Sequence, residues 1–234
     1  EDIRDRGLDA LIVTGANPAQ HLLERESFWE PLGEVLDWAK SSTRSVLCSC
    51  LATHAVVERY DGVTRTRLPD KRWGVYRHRV VADHPLLDGL EDPVVAPHSH
   101  WYDMTRRDFE SIGASVLLES DEAGVHMAVG AEGHFVFFQG HPEYDRVSLL
   151  KEYRRELGRY YSGDRPDHPP VPEHYFDDAA LTRLNAYRLV LEEAKSSGRL
   201  PPPLDENQLL PKNAPDWNSA GYVIYRNWLS SLLR

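Results

Sequence analysis

The sequence of 234 residues has 41% hydrophobic side chains, enough for one sizeable core, and a formal net charge of −10. This acidic balance argues against a nucleic-acid partner, because binding phosphates requires a dense basic patch. The apolar runs are shorter than the roughly 20 residues of a membrane span, and the first six residues are too charged for a signal peptide. We therefore expect one cytoplasmic domain over residues 1–234, without nucleic-acid or membrane partners.

The N-terminal part of the chain has the βαβα pattern of a doubly wound parallel sheet. Apolar residues at 9–13 and 45–49 predict two buried strands, and the helical spacing of apolar residues over 28–40 predicts the crossover helix. The second strand ends at Cys50, and a helix over 51–59 is predicted to follow directly. Because the chain opens immediately before a core strand, we also expect a further segment upstream of residue 1.

Beyond residue 62 the pattern changes to shorter strands and then to helices. Strands are predicted over 73–81, 93–97, 114–120, 124–129 and 134–139, the last two forming a β-hairpin. Helices are predicted over 146–160, 178–197 and 217–233, and the proline-rich segments 165–172 and 201–215 are predicted to be irregular surface loops. The elements together predict an α/β fold with a mostly parallel, doubly wound sheet and a C-terminal helical extension.

Two distant segments carry the residue types of a covalent acyl-transfer site. Cys50 is predicted at a strand-to-helix elbow, where the helix dipole and free backbone N–H groups favour a thiolate and an oxyanion. His141 and Glu143 follow the predicted strand 134–139 and supply a base with an orienting carboxylate. A single cysteine after an apolar strand is more often an inert core residue. The joint placement at the C-terminal ends of two strands, where open α/β sheets bind ligands, favours the catalytic interpretation.

Several motifs occur in a characteristic order along the chain. They are Gly-Leu-Asp-Ala-Leu-Ile-Val-Thr-Gly-Ala from Gly7, Gly-Val-Tyr-Arg-His-Arg-Val from Gly74, Ala-Pro-His-Ser from Ala96, Glu-Ala-Gly-Val from Glu122 and Gly-His-Pro-Glu-Tyr-Asp from Gly140. In these motifs the chain resembles the homoserine O-succinyltransferases, a family whose acetyl-CoA-using variants are homoserine O-acetyltransferases. The resemblance implies a flavodoxin-like sheet of the class I glutamine amidotransferase-like type.

The resemblance also implies a role for each residue of the proposed triad. Cys50 matches the acyl-accepting cysteine, His141 the proton acceptor and Glu143 the carboxylate that orients it. The other cysteine, Cys48, lies two residues earlier on the same strand and so points to the opposite face, which makes an internal disulfide unfavourable. The spacing to the downstream motifs matches the family when it is counted from Cys50 and not from Cys48.

Four further residues receive substrate roles from the resemblance alone. Arg155 falls on the arginine that holds the amino-acid carboxylate, a task that suits the two parallel N–H groups of a guanidinium. Lys71 matches a substrate-binding lysine, and Ser99 matches a residue associated with substrate choice. Ala19 occupies the position that is glycine in succinyl users and glutamate in acetyl users. Its small, uncharged side chain leaves room for a succinyl carboxylate and favours succinyl-CoA.

The implied reaction is ping-pong acyl transfer from succinyl-CoA or acetyl-CoA to L-homoserine, through a thioester on Cys50. The family further implies a role in methionine synthesis and a homodimer, and we expect no cofactor and no metal. Serine or another hydroxy amino acid stays open as the acceptor. An amidotransferase-like hydrolase also stays open, although Ser49 and Leu51 flank Cys50 where that group has small residues. A catalytically silent binding protein is the third alternative, which a Cys50 inert to alkylation would favour.

Overall fold

Helices and strands alternate in the N-terminal part of the chain, most of the remaining strands follow, and the last three α-helices come after the final strand. The computed structural model describes residues 3–16, 18–130, 132–210 and 216–233. The α-helices are Ile3–Arg6 (α1), Trp29–Ser42 (α2), Leu51–Asp61 (α3), Arg106–Ser111 (α4), Ser148–Ser162 (α5), Asp178–Ser197 (α6) and Trp217–Ser231 (α7). The strands are Ala10–Val13 (β1), Ser45–Ser49 (β2), Thr66–Val80 (β3), Val94–Asp103 (β4), Ser115–Ser120 (β5), Gly124–Val129 (β6) and Phe135–Phe138 (β7). Short 3-10 turns lie at Leu23–Arg25, Pro85–Leu87 and Glu206–Gln208.

The strands form one sheet with the order β1-β2-β7-β6-β5-β3-β4. β1, β2 and β7 are parallel, whereas the other neighbouring pairs are antiparallel. The sheet is therefore mixed, and the prediction of a mostly parallel sheet was correct only for β1 and β2 and their neighbour β7. The physical reason is that the chain after α3 reverses through short connections, which can join only antiparallel strands.

β2 is the central buried strand of the parallel part. All five of its residues are buried, and successive side chains point to opposite faces of the sheet. Val46 and Cys48 pack with α2 and α3 on one face, while Leu47 packs with the C-terminal helix α7 on the other. The Trp228 indole N–H of α7 donates to Ser45 Oγ at 2.9 Å. The C-terminal helical extension thus includes a helix that belongs to the main core.

The largest differences from the predicted boundaries concern β3 and β4. They were predicted over 73–81 and 93–97, but both extend into a long antiparallel ribbon that reaches Thr66 and Asp103. Arg67, Asp70 and Lys71 interrupt the apolar alternation there, so the sequence lacked the usual strand signal. The short helix α4 was also missed. The remaining predicted helices agree within a few residues, and residues 211–215 of the second proline-rich loop lie outside the described ranges.

The helices after β7 complete a second core beside the ribbon. Trp73 and Val75 of β3 pack with α5 and α6 in a cluster of buried aromatic and aliphatic residues. This packing holds α5 against β3. Within the described ranges, none of the helices combines the length and the hydropathy needed to cross a bilayer.

Candidate active site

Cys50 lies in a sharp turn between β2 and α3. Its φ of 53° and ψ of −114° are unusual for a residue other than glycine, and backbone strain of this kind costs on the order of 1–3 kcal/mol. The turn is held by the Cys50 N–H, which donates to Phe138 O at 2.8 Å, and by the Thr53 hydroxyl, which donates to the carbonyls of Cys48 and Phe138. The predicted elbow is present, and it leaves Cys50 half-buried while Cys48 is fully buried.

Gly15, in the loop after β1, packs directly against this turn. A Cβ at Gly15 would lie 3.1 Å from the Cys50 Cβ and 3.3 Å from the Leu51 backbone nitrogen. Because Leu51 is the first residue of α3, its N–H has no acceptor within the helix. The glycine therefore keeps open an N–H group beside the thiol, which is the geometry that an oxyanion requires.

His141 follows β7 and lies next to the thiol, as its position at a neighbouring strand end predicted. Its backbone N–H donates to Pro97 O at 2.7 Å, and its ring stacks on Tyr144 with 4.2 Å between the centroids. Its Nδ1 is 2.7 Å from Glu143 Oε1. The ring lines the same cleft as the Cys50 thiol, which interacts with it. The structure thus brings Cys50, His141 and Glu143 together.

The charge state of His141 depends on these partners. Burial by itself lowers the pKa of His141, but the interactions of the ring with Cys50 and Glu143 outweigh burial and raise this pKa to about 10. At neutral pH the ring is therefore an imidazolium between a sulfur and a carboxylate. Ser49 supports the carboxylate, since its hydroxyl donates to Glu143 Oε1 at 3.3 Å.

Lys71 and Ser99, which lie on different strands, meet at Glu152 of α5. The Glu152 carboxylate accepts from Lys71 Nζ at 3.1 Å, from Ser99 Oγ at 2.6 Å and from the Tyr144 hydroxyl at 2.7 Å. Burial raises the pKa of Glu152, but the Lys71 charge and these hydrogen bonds outweigh burial and lower it. Sequence reasoning missed Glu152 because a glutamate on an amphipathic helix is normally solvated, and no local signal distinguishes it.

These residues line one open cleft of about 1340 Å³, which also contains Cys50, His141, Ala19 and Arg155. Arg155 is on α5, and its side chain is 54% exposed, with a long 3.5 Å contact to Glu156. Its guanidinium is therefore accessible from the cleft. All seven residues that the sequence singled out line this cleft or, in the case of Glu143, touch a residue that does.

Arg65 is a further charged residue of the cleft that sequence reasoning did not identify. It is only 5% exposed, and its guanidinium packs 3.8 Å from the centroid of the Tyr102 ring. It donates to the carbonyls of Gln20 and His21, which directly follow Ala19. A fixed positive charge is thereby held beside the loop of Ala19. In the sequence it is one isolated arginine, so nothing marks it as buried.

Comparison with known proteins identifies the same family by a family model and by individual relatives. The model of a family described as homoserine O-succinyltransferase matches residues 1–233. The homoserine O-succinyltransferase of Methylococcus capsulatus is 50% identical over 98% of this chain and 65% of its own length. That of Thiothrix nivea is 49% identical over 99% and 65%. The chain therefore spans about two thirds of the length of these relatives.

Solved structures of low sequence identity share the fold. A glutamine amidotransferase from Methylobacillus flagellatus has a TM-score of 0.59 at 17% identity and covers 100% of this chain and 80% of its own. A glutamine amidotransferase from Thermotoga maritima has a TM-score of 0.53 at 16% identity, with 95% and 78% covered. The predicted glutamine amidotransferase-like α/β fold is confirmed, and at these identities the likeness concerns the fold alone.

Proposed function

The chain belongs to the homoserine O-succinyltransferase family, and from this premise we propose that it transfers the succinyl group of succinyl-CoA to the γ-hydroxyl of L-homoserine. The observation that carries the proposal is that Cys50 and His141 line one cleft and interact there, while Glu143 hydrogen-bonds to the far side of the His141 ring. The ester product would serve methionine synthesis. The single domain, the cytoplasmic location, the homodimer and the absence of a cofactor, with acyl-CoA as co-substrate, stay predictions.

In the first half-reaction the Cys50 thiolate attacks the thioester carbon of succinyl-CoA. The negative charge that develops on the carbonyl oxygen is stabilised by the Leu51 N–H at the start of α3. The bond from carbon to the CoA sulfur then breaks, and the His141 imidazolium gives its proton to the leaving thiolate. The products of this step are free CoA, a succinyl thioester on Cys50 and a neutral imidazole.

In the second half-reaction the neutral His141 acts as a base. It takes the proton of the homoserine γ-hydroxyl, whose oxygen attacks the thioester and displaces the Cys50 thiolate. Glu143 holds the Nδ1–H of the ring and so keeps Nε2 directed at the reacting atoms. The imidazolium and thiolate are restored, so the two half-reactions balance without a further reactant.

The direct test is the mass of the intact protein after mixing with succinyl-CoA alone. We expect the chain to gain one succinyl group that L-homoserine, but not L-serine, removes rapidly. Transfer to serine at an equal rate would change the proposed acceptor. Release of CoA without any acyl adduct, or hydrolysis of glutamine, would instead support the amidotransferase-like alternative.

Arg155 is proposed to bind the α-carboxylate of homoserine. In Arg155→Ala we expect the burst of CoA release to survive, because the acyl donor does not need this contact, while the KM for homoserine rises about 10-fold or more. Stopped-flow detection of free CoA and steady-state kinetics separate the two effects. Arg154→Ala is the matched control, since Arg154 pairs with Glu206 outside the cleft. Loss of the burst in a folded Arg155→Ala protein would contradict this role.

Ala19 and Arg65 are proposed to favour the longer acyl donor. Ala19 adds neither bulk nor charge, and the Arg65 guanidinium, anchored on the two following carbonyls, can attract the succinyl carboxylate. We expect Ala19→Glu to shift the ratio of kcat/KM toward acetyl-CoA on the order of 10-fold or more, because the new carboxylate repels succinyl and competes for Arg65. Ala19→Gln, which matches glutamate in size without its charge, should shift the ratio less. A wild-type preference for acetyl-CoA, or an unchanged ratio in Ala19→Glu, would place residue 19 outside the acyl pocket.

A further inference from the structure

Three buried histidines from different strands converge near Gly140, the residue before His141. His78 is on β3, His98 on β4 and His126 on β6, and each is at most 1% exposed. One ring nitrogen from each histidine lies within 4.8 Å of the others. The Nε2 atoms of His78 and His98 are 3.0 Å apart. The cluster plays no part in the acyl-transfer steps described above.

The hydrogen bonds of His98 define which of its nitrogens has a free lone pair. His100 Nδ1 is 2.7 Å from the Tyr102 carbonyl oxygen, which can only accept, so this nitrogen carries the proton. In the tautomer that this hydrogen bond selects, His100 Nε2 has the lone pair and accepts. His98 Nδ1, 2.9 Å away, must then donate to it. The His98 Nε2 is left with a lone pair that faces His78.

His126 supplies the second, independent observation. Among the described residues, neither of its ring nitrogens has a hydrogen-bond partner, although a buried imidazole normally satisfies both. A Cβ on Gly140 would lie 2.7 Å from His126 Nδ1 and 2.7 Å from His98 Nε2. Both nitrogens therefore border the same small space, which exists because residue 140 has no side chain.

We propose that His78, His98 and His126 bind one Zn²⁺ ion. Three neutral imidazoles are a common zinc ligand set, whereas Ca²⁺ and Mg²⁺ prefer oxygen ligands. Zinc–nitrogen bonds of about 2.0–2.1 Å place tetrahedral ligand atoms roughly 3.4 Å apart. The His78–His98 pair is already near this spacing, and a rotation of the His126 ring closes the remaining gap. A water molecule would complete four-coordination.

The hydrogen-bonded chain from His98 through His100 to the Tyr102 carbonyl is the arrangement that orients metal-binding imidazoles. The ion would join β3, β4 and β6 beside the segment that carries His141, and its role would be to stabilise the fold there. Because all three ligands are buried, zinc would enter as the chain folds and leave slowly from the native protein. This proposal replaces the expectation from sequence that the chain holds no metal.

The test uses the Cys50→Ala chain, because the thiol and imidazole of Cys50 and His141 are themselves able to bind zinc. After expression with added Zn²⁺, elemental analysis should find about one zinc per chain that EDTA removes only on unfolding. Refolding with Zn²⁺ should also give a higher Tm than refolding with EDTA. Absence of zinc from this protein, together with equal Tm values, would overturn the proposal.

A histidine variant identifies the ligands. In the Cys50→Ala background, His126→Leu should bind Zn²⁺ at least about 100-fold more weakly, while His174→Leu, which alters an exposed histidine, should retain it. Unchanged zinc content in His126→Leu would refute the site.

If His126→Leu does not fold, Co²⁺ bound during refolding of the Cys50→Ala chain keeps the proposal testable. Visible absorption typical of four-coordinate, nitrogen-ligated Co²⁺ would support it, and a spectrum of hydrated Co²⁺ alone would refute it.

Discussion

Cys50→Ser is expected to form no stable acyl-enzyme and to lower kcat by on the order of 10⁴-fold or more, since the nucleophile of such a triad supplies most of its catalysis. A serine hydroxyl is a much weaker acid than a thiol, so it is a poorer nucleophile at the same position. The measurement is intact mass after mixing with succinyl-CoA, combined with steady-state turnover. The Cys50 side chain is accessible from the cleft, and the backbone nitrogen of Leu51 begins the helix directly after it.

Cys48 provides the matched control for this result. It is fully buried in the core between β2 and its covering helices, and burial raises the pKa of its thiol far above the ordinary value. Cys48→Ala, which avoids placing an unpaired hydroxyl in the core, should therefore still acquire one succinyl group. A thioester on Cys50→Ser that is absent from Cys48→Ala would show that the nucleophile has been assigned to the wrong cysteine.

His141→Ala is expected to lower kcat by roughly two to four orders of magnitude, because both proton transfers pass through this ring. Glu143→Gln should lower kcat by a smaller factor, since the imidazole remains and loses only the carboxylate charge that orients it. The measurements are the steady-state turnover and the rate of the CoA burst in both variants. His174→Ala, at an exposed site outside the cleft, is the control for loss of a histidine as such. Near-normal turnover in a folded His141→Ala protein would remove the base assignment.

The pH dependence of the same variants follows from the pKa of His141. The CoA burst requires the imidazolium, so its rate should fall as the pH rises through about 10. Glu143 is one of the groups that raise this pKa, so Glu143→Gln should move the alkaline fall in rate to lower pH. A fall at the same pH in both proteins would mean that Glu143 does not set the charge state of His141.

The parallel core was predictable from sequence because its signals are local. Residues 45–49 have the apolar centre Val46-Leu47-Cys48 between two small serines, and such a run followed at once by a helix predicts a buried parallel strand with an elbow at Cys50. His141 and Glu143 were likewise found because they follow the apolar strand β7. Strand ends at the same edge of a sheet must be near one another, so the order of elements is sufficient to predict that the three residues of the triad meet.

The β3–β4 ribbon and the groups that it positions were not predictable in the same way. Arg67, Asp70 and Lys71 follow no period of two, and this part of the ribbon lines the cleft, where polar side chains are needed. Whether such residues are solvated or hold a substrate depends on what packs over them. Lys71 and Ser99 acquire a common partner, Glu152, only when α5 folds onto the ribbon.

The sequence by itself determined the βαβα start, the strand ends that carry Cys50, His141 and Glu143, and the family, because each depends on residues close along the chain or on ordered motifs. Only the tertiary structure decided the mixed strand directions, the charge state of His141, the burial of Arg65 and the convergence of His78, His98 and His126. These features arise between residues far apart in sequence. Burial and long-range pairing set their energies, and neither is encoded in a local pattern.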